Sequence, residues 1–316
     1  MDTFAGRLAV VTGGGSGMGR ELVVQLAAAG ASVAACDVDL ERLAETAQLA
    51  MAGAPDGVRV TTHLCDVSDE SAVNAFRDEV VEQHATDHIN LLFSNAGIGG
   101  GGSFLTSERS EWERTFNICW GGVYLCARAF VPLLVASDAG HLVNTSSVNG
   151  FWASLGPGVP HTAYSAAKFA VKGFSEALLE DFRINAPHVQ VSVVMPGHIG
   201  TDIVLNSQKI HARNEPGRDR FTDMRAGMQA RGITTDGMSD DQLEELMQTM
   251  ASMFRESAPM TAAQAAADIL AGVLAGRWRL LIGKDAVQLD EAVRADPETA
   301  YGPGGLTLGV LGGIGS

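Results

Sequence analysis

Short apolar runs alternate along this chain with longer, mixed stretches that favour helices. Seven runs have the length and composition of buried strands, and they occupy residues 8–11, 32–36, 58–64, 89–94, 141–145, 189–194 and 278–282. The longest helical stretch between them covers residues 109–136. Strands that alternate with helices are typical of a parallel sheet with helices on both faces. The pattern predicts an α/β, doubly wound fold with about seven parallel strands.

A glycine-rich turn separates the first predicted strand from the first predicted helix. It covers residues 12–19 with the sequence TGGGSGMG. Glycines let backbone approach the diphosphate of a dinucleotide, and free N–H groups at a helix start bind its charge. The second strand leads to Asp37, whose carboxylate can accept hydrogen bonds from the adenosine ribose and repel a 2′-phosphate. These features predict a dinucleotide site that prefers NAD.

Tyr164 and Lys168 lie four residues apart in a predicted helix, so both side chains share one face. An ammonium near a phenol favours the phenolate, and we expect Lys168 to lower the pKa of Tyr164 from about 10. A tyrosine tuned in this way can exchange a proton near neutral pH. Alone, such a pair is more often two solvated positions on a helix. The dinucleotide motif in the same chain favours the catalytic interpretation.

Composition narrows the class of protein. A chain of 316 residues can bury one large core, and a net charge of −15 argues against nucleic-acid binding. Four cysteines are scattered through apolar segments, which indicates buried reduced thiols and neither disulfides nor a metal site. We find no targeting segment and no apolar stretch of membrane-spanning length. We therefore expect a cytoplasmic protein that binds no membrane.

Residues 1–290 are expected to form one domain, with an insertion at about 204–259 and a tail at 291–316. The insertion is rich in methionine, which suits either a lid over the substrate or ordinary helix packing. Within it, Ser239 and Gln242 predict a capping box at the start of an amphipathic helix. The tail becomes too glycine-rich for a helix after Tyr301 and is expected to be flexible or packed against another subunit.

The chain resembles the compact, single-domain short-chain dehydrogenase/reductase family over about residues 4–203 and again near 260–285. The matching motifs are the turn at 12–19, Cys65-Asp66-Val67, Asn95-Ala96-Gly97, Asn117, Asn144-Thr145-Ser146-Ser147, the Tyr164–Lys168 pair and the run from Pro196 to Thr201. The resemblance implies a Rossmann fold and a dinucleotide bound by Gly13, Gly15, Ser16, Gly17, Met18, Gly19, Asp37, Asp66, Val67, Asn95, Ala96, Gly97, Tyr164, Lys168, Pro196, Gly197, Ile199 and Thr201.

The same resemblance implies four catalytic residues, Asn117, Ser147, Tyr164 and Lys168. Tyr164 exchanges the substrate's hydroxyl proton, and Ser147, which we choose over Ser146, bonds the substrate oxygen. Lys168 also holds the nicotinamide ribose, and the backbone carbonyl of Asn117 holds a water that leads to solvent. Hydride transfer itself belongs to NAD, and no metal is implied.

The leading hypothesis is an NAD-dependent alcohol dehydrogenase or ketone reductase. Its substrate would be a bulky apolar secondary alcohol or ketone that resembles a steroid, a terpenoid or an aryl carbinol. One alternative is a 3-oxoacyl thioester reductase, but such enzymes typically prefer NADPH, which Asp37 disfavours. Another is a non-catalytic dinucleotide-binding protein, although these usually lose one of the Ser–Tyr–Lys residues.

The Tyr164 helix also predicts assembly. From Phe169 to Leu178 it carries more small and apolar residues than one contact with the sheet requires. In the family, this helix and the preceding long one pair with their symmetry mates. We therefore expect a homotetramer, or a dimer if the second axis is missing.

Overall fold

The structure is a computed structural model that describes residues 2–213, 220–229 and 233–308. Its strands are β1 (Leu8–Thr12), β2 (Ser32–Asp37), β3 (Val60–Leu64), β4 (Leu91–Ser94), β5 (Gly140–Thr145), β6 (Val189–Pro196), β7 (Ile199–Gly200), β8 (Met260–Thr261) and β9 (Arg279–Ile282). Its helices are α1 (Gly17–Ala28), α2 (Leu40–Gly53), α3 (Glu70–His84), α4 (Arg109–Phe116), α5 (Gly122–Val135), α6 (Thr162–Asn185), α7 (Ile203–Arg213), α8 (Arg220–Gln229), α9 (Asp240–Glu256), α10 (Ala262–Leu274) and α11 (Lys284–Ala295).

Seven strands form one parallel sheet in the order β3-β2-β1-β4-β5-β6-β9. Each predicted strand is present, and the α/β, doubly wound architecture is confirmed. The chain moves outward from β1 in one direction and from β4 in the other. The crevice between β1 and β4, at their carboxyl ends, is therefore the topological switch point where such sheets bind ligands.

Alternate residues of the central strands enter two separate cores. Val11 and Phe93 pack on one face with residues of α1, α2 and α10. Val10 and Leu92 pack on the other face with residues of α3, α5 and α6. Because both faces of the sheet are covered at its centre, β1 and β4 are buried along their whole length, which explains why they appear in the sequence as continuous apolar runs. The edge strand β3 is only partly buried.

The long helix predicted at 109–136 is interrupted. A π-helical turn, Asn117–Gly121, lies between α4 and α5. By length and composition, the stretch Arg109–Val135 could cross a membrane, contrary to the sequence-based expectation, but half of its apolar window is buried inside the fold. A buried core helix passes the same test, so this stretch is weak support for a membrane span.

The methionine-rich insertion forms a small core of its own. Met228 and Met247 are buried there, with Met224 and Met250 packed against them between α8 and α9. This arrangement agrees with ordinary helix packing for these four side chains. The predicted capping box is confirmed at the start of α9, where Ser239 and Gln242 bond reciprocally. Residues 214–219 and 230–232 of the insertion lie outside the described residues.

The tail boundary predicted at 290 falls inside α11, which continues to Ala295. Beyond the helix, the Ala300 carbonyl accepts a hydrogen bond from the Trp152 indole at 3.0 Å. The Tyr301 hydroxyl accepts one from the Ala153 N–H at 3.0 Å. The described part of the tail therefore packs on its own chain, behind the segment that follows β5. Residues 309–316 lie outside the described residues.

A buried histidine lies near the start of β5. The Ser192 hydroxyl donates to the Arg277 carbonyl at 2.7 Å, so it accepts from His141 Nε2–H, also at 2.7 Å. His141 Nδ1 has no hydrogen-bond partner within the described part of the chain. Burial lowers the pKa of His141 from 6.5 to about 4 because the charged ring would lose its hydration.

Stability should consequently fall as the pH drops from 6.5 towards 4. In this window the unfolded His141 binds a proton that the folded protein excludes. The full effect of this residue is about 3 kcal/mol, at 1.36 kcal/mol for each pKa unit. Urea unfolding of His141→Gln at pH 7 and pH 4 should show a flatter pH dependence than wild type. His88→Gln, a change at an exposed ring, is the control, and equal slopes for all three proteins would contradict the assignment.

Candidate active site

The glycine turn after β1 is packed so closely that side chains cannot fit. Gly13 has φ of +69°, and a Cβ there would lie 2.9 Å from the Ala96 Cα. A Cβ on Gly19 would overlap the Gly13 carbonyl and lie 2.7 Å from the Asn95 amide nitrogen. The turn therefore depends on glycine both for its conformation and for its contact with the end of β4.

Thr12 fastens this turn to β4. Its hydroxyl accepts hydrogen bonds from the N–H groups of Asn95 and Ala96, both at 3.0 Å. The Asn95 amide donates back to the Thr12 carbonyl at 3.2 Å, while Asn95 Oδ1 is buried and has no partner among the described residues. An orphaned acceptor beside a glycine cradle fits a bound group that carries hydrogen-bond donors.

Asp37 lies beside the glycine turn, at its predicted adenosine end. One carboxylate oxygen accepts the Gly15 N–H at 2.9 Å, and the other accepts the Asp39 N–H at 3.0 Å. Burial raises the pKa of Asp37, and these backbone hydrogen bonds oppose the increase. The side chain is thus held in place beside the turn, where a ribose diol can reach it.

A cleft of about 180 Å³ opens over these residues. Twelve of the predicted cofactor residues line it, namely Gly13, Gly15, Ser16, Gly17, Met18, Asp37, Asp66, Val67, Asn95, Ala96, Gly97 and Thr201. The other six, Gly19, Tyr164, Lys168, Pro196, Gly197 and Ile199, are not part of its lining. Gly19 packs against the Gly13 carbonyl within the turn. Of the remaining five, Tyr164 and Lys168 belong to α6, Pro196 ends β6, Ile199 begins β7, and Gly197 lies between these two strands.

The loop from Pro196 to Thr201 is fixed by α11 and α9. A Cβ on Gly197 would overlap the Asp285 carboxylate, which accepts the His198 N–H at 2.6 Å. The His198 ring lies 2.7 Å from the Phe254 carbonyl. These contacts bring Thr201 to the glycine turn, 3.2 Å from where a Gly17 Cβ would lie.

The structure distinguishes the two serines that follow β5. The Ser146 hydroxyl donates to the Lys168 carbonyl at 2.7 Å and so supports α6. The Ser147 hydroxyl accepts the Asn149 N–H at 3.1 Å, and it interacts with the Tyr164 phenol, whose pKa it lowers in part. The choice of Ser147 over Ser146 agrees with this geometry.

The expected lowering of the Tyr164 pKa is not what the structure shows. Burial, with a smaller effect of Cys119, raises the pKa of Tyr164 above its usual value, and burial lowers the pKa of Lys168. Lys168 Nζ donates to the Thr145 carbonyl at 2.9 Å and lies 5.3 Å from the Tyr164 ring centre. Loss of hydration is therefore the largest influence on this phenol, and it favours the protonated form that a proton donor requires.

Cys119 was missed by the sequence analysis and lies near Tyr164 and Lys168. Its thiol is buried and donates to the Ile98 carbonyl at 3.2 Å. It affects the pKa of both Tyr164 and Lys168. Asn117, chosen by resemblance, is exposed, and its carbonyl accepts the Gly122 N–H of the π turn.

Helical spacing carried the signal for Cys119. Cys119 belongs to a buried stripe of the helix together with Thr115, Gly122 and Cys126, whereas Asn117 is exposed and lies off that stripe. Apart from Cys119, which is not part of the lining of the cleft, the sequence analysis missed ten residues that do line it, namely Val38, Asp39, Arg42, Cys65, Ile98, Ile118, Ile203, Asn206, Lys209 and Ile210. Four of these belong to α7, which no motif had connected with the cofactor.

A Rossmann sheet, a glycine cradle and a Ser–Tyr–Lys set beside it define a dinucleotide-dependent oxidoreductase. A short chain dehydrogenase family model matches residues 7–212. The chain therefore belongs to the short-chain dehydrogenase/reductase family and is an oxidoreductase of that type.

Relatives in sequence include SadH of Mycobacterium tuberculosis, provisionally called an oxidoreductase, which is 35% identical over 295 residues covering 93% of this chain and 92% of SadH. Human epidermal retinol dehydrogenase 2 is 34% identical and covers 62% of each chain. Levodione reductase of Leifsonia aquatica is 33% identical and covers 65% of this chain and 74% of its own.

Two solved structures bear on the cofactor. A Burkholderia phymatum family member in complex with NAD has a TM-score of 0.76 and 25% identity, covering 96% of this chain and 98% of its own. A metagenomic family member in complex with NADP has a TM-score of 0.54 and 32% identity, covering 61% of this chain and 83% of its own. Neighbours thus bind either nicotinamide dinucleotide.

Gly19→Ala should abolish dinucleotide binding, because the new methyl group would overlap the Gly13 carbonyl. Isothermal titration with NADH measures the effect, and we expect no detectable binding. Gly53→Ala is the matched control, since a Cβ at this helix end meets nothing within 4 Å and alanine favours helices. Normal NADH binding by the Gly19 variant would disprove the steric argument.

Proposed function

We propose that the protein is an NAD-dependent alcohol dehydrogenase or ketone reductase that acts on bulky apolar secondary alcohols and ketones. The observation that carries this proposal is the position of Ser147, Tyr164 and Lys168 around one point beside the glycine cradle. Ser147 touches Tyr164, and Lys168 follows Tyr164 by one helical turn. When bound, the nicotinamide would supply or accept the hydride.

The residues themselves handle the proton and the developing charge. In reduction, the protonated Tyr164 donates its proton to the carbonyl oxygen as that oxygen becomes negative. The Ser147 hydroxyl is placed to donate a second hydrogen bond to the same oxygen. Lys168, held by the Thr145 carbonyl, keeps a positive group close to the pair. Oxidation uses the same contacts in reverse.

An aromatic rim near Tyr164 supports an apolar substrate. The His161 ring lies 4.7 Å from the Tyr164 ring, centre to centre. Trp112 stacks on Phe116 at 5.4 Å, and its indole donates to Thr162 at 3.0 Å. Relatives named for retinol and levodione agree with an alcohol or ketone substrate.

The function is tested with a panel of substrates at one enzyme concentration. Steroid, terpenoid and aryl secondary alcohols and their ketones are assayed with NAD or NADH, and 3-oxoacyl thioesters with both reduced cofactors. We expect turnover of at least one apolar class. Turnover of thioesters alone would replace the proposal with a 3-oxoacyl reductase, and dinucleotide binding without any turnover would favour a non-catalytic protein.

NAD(H) should be preferred over NADP(H) by roughly tenfold or more in kcat/KM, equivalent to about 1.4 kcal/mol. The Asp37 carboxylate faces the site of the ribose diol and repels a 2′-phosphate. Asp37→Asn, which retains an oxygen to accept the Gly15 N–H, should reduce this preference. Equal use of both cofactors by the wild-type enzyme would contradict the proposed cofactor.

Tyr164→Phe should lower kcat by roughly 10²–10⁴-fold, because it removes the proton donor and keeps the ring. Steady-state kinetics of Ser147→Ala should show a loss of similar order, with NADH binding retained in both variants. Ser146→Ala is the control, since among the described residues that hydroxyl bonds only the Lys168 carbonyl, and it should remain active. A Tyr164→Phe enzyme with normal turnover would mean that another group delivers the proton.

We also propose that the protein forms homotetramers in the cytoplasm. The outward face of α6 carries small and apolar residues, with Phe169 42% exposed and no atom of the described residues within 4 Å of a Cβ on Gly173. Gly173→Glu should therefore leave the subunit folded but lower the assembly mass measured by light scattering. A wild-type protein at monomer mass would refute the proposal, and a dimer would remove only the second axis.

A further inference from the structure

Helix α7 lies across the opening of the dinucleotide cleft. Ile203, Asn206 and Ile210 occur at helical spacing on one face of α7, and all three line the cleft together with Lys209. The helix follows Thr201, which touches the glycine turn. One face of this helix is thus directed at the site assigned to the cofactor.

Asn206 ties α7 to the β1 side of the cleft. Its amide nitrogen donates to the Ser16 hydroxyl at 3.0 Å, and its oxygen accepts from Arg42 at 2.8 Å. Ser16 precedes α1 in extended conformation, yet its side chain makes no capping hydrogen bond to that helix. The Ser16 hydroxyl therefore binds α7 and leaves the first N–H groups of α1 available to an anion.

The next residue ties α7 to the β4 side. The Ser207 hydroxyl accepts the Gly99 N–H at 2.8 Å and donates to the Ile203 carbonyl at 2.6 Å. His211, one turn further, lies 2.9 Å from the Gly99 carbonyl. Because α7 is bonded on both sides, it spans the cleft between the glycine turn and the segment that follows β4.

We propose that Asn206 is a cofactor-binding residue, which contacts the dinucleotide diphosphate and holds α7 over it. This inference rests on the proposed dinucleotide site. Ser16 belongs to the turn that holds the diphosphate, and Arg42 lies beside Asp37, at the adenosine ribose. Asn206 lies between the two, and its amide retains one N–H that the described contacts do not use.

Two consequences follow for the cofactor. If a diphosphate oxygen accepts the free Asn206 N–H, the hydrogen bond has a charged acceptor and is stronger than one between neutral groups. Both entry and release of the dinucleotide require α7 to separate from Ser16 and Arg42. The direct bond to the diphosphate exists only in the complex, so through this bond Asn206 should slow dissociation more than it affects association.

The test measures NADH binding by stopped-flow fluorescence without substrate, so that no catalytic step enters. Asn206→Leu, which has a similar size and no polar group, should increase the NADH dissociation rate constant roughly ten- to a hundredfold, the range for a hydrogen bond to a charged group. Gln208→Leu, on the same helix but outside the lining of the cleft, is the control and should behave as wild type.

The variant Asn206→Asp distinguishes two roles of Asn206, which are direct contact with the diphosphate and the hydrogen bonds that hold α7. A carboxylate pairs with Arg42 and accepts from Ser16, so it would hold α7 at least as well, but it would repel a diphosphate. We expect Asn206→Asp to bind NADH more weakly than Asn206→Leu. Wild-type affinity in the aspartate variant, or rates within twofold of wild type in both variants, would overturn the inference alone. A wild-type protein that binds neither NADH nor NADPH would overturn the proposed function as well.

Discussion

At the switch point of the sheet, the backbone of the glycine turn lies so close to the backbone that follows β4 that no side chain of the turn would fit between them. The rest of the site depends on this contact. Gly19 and Gly13 meet the segment at Asn95 and Ala96 without Cβ atoms between them, and the Thr12 hydroxyl joins the segments through two N–H groups. The contact fixes where β4 ends, so it places Gly97 against Lys168 and Cys119. A single steric requirement therefore sets both the floor of the cofactor cleft and the wall of the reaction centre.

Charge is handled in opposite ways in the cleft and at the Tyr164–Lys168 pair beside it. In the cleft, Asp37 is buried, but backbone N–H groups compensate its carboxylate and keep it an acceptor. At Tyr164 and Lys168, burial has little compensation, so the neutral form of each side chain is favoured. The first arrangement suits recognition, which needs a fixed charge, and the second suits proton transfer, which needs groups that can change charge.

Most of the fold could be predicted from the sequence because the central strands are covered on both faces and stand out as apolar runs, while the edge strand β3 is recognisable as a short run rich in β-branched residues. The glycine turn and Asp37 were equally predictable, since a strand, a glycine turn and a helix followed about 20 residues later by an acidic residue form a recognisable pattern. Contacts between distant segments were not. Asn206 bonds Ser16 across 190 positions, and only the folded chain shows it. The prediction that the pKa of Tyr164 is lowered was wrong for a related reason. The spacing in sequence shows that Lys168 is nearby, but it does not show that the folded chain buries the phenol.

The π turn allows one continuous helix to serve two different neighbours. Before the turn, Trp112 and Glu111 bond the start of α6 and the Gly101 N–H, whereas after it Phe130 and Cys126 pack against the sheet. Each residue in an α-helix advances by about 100°, so the residue inserted by a π turn rotates one half relative to the other. The turn thus sets the rotation of the segment before it, which forms one wall of the proposed substrate site, relative to the core. Insertions or deletions there would rotate that wall around its axis while leaving its composition unchanged.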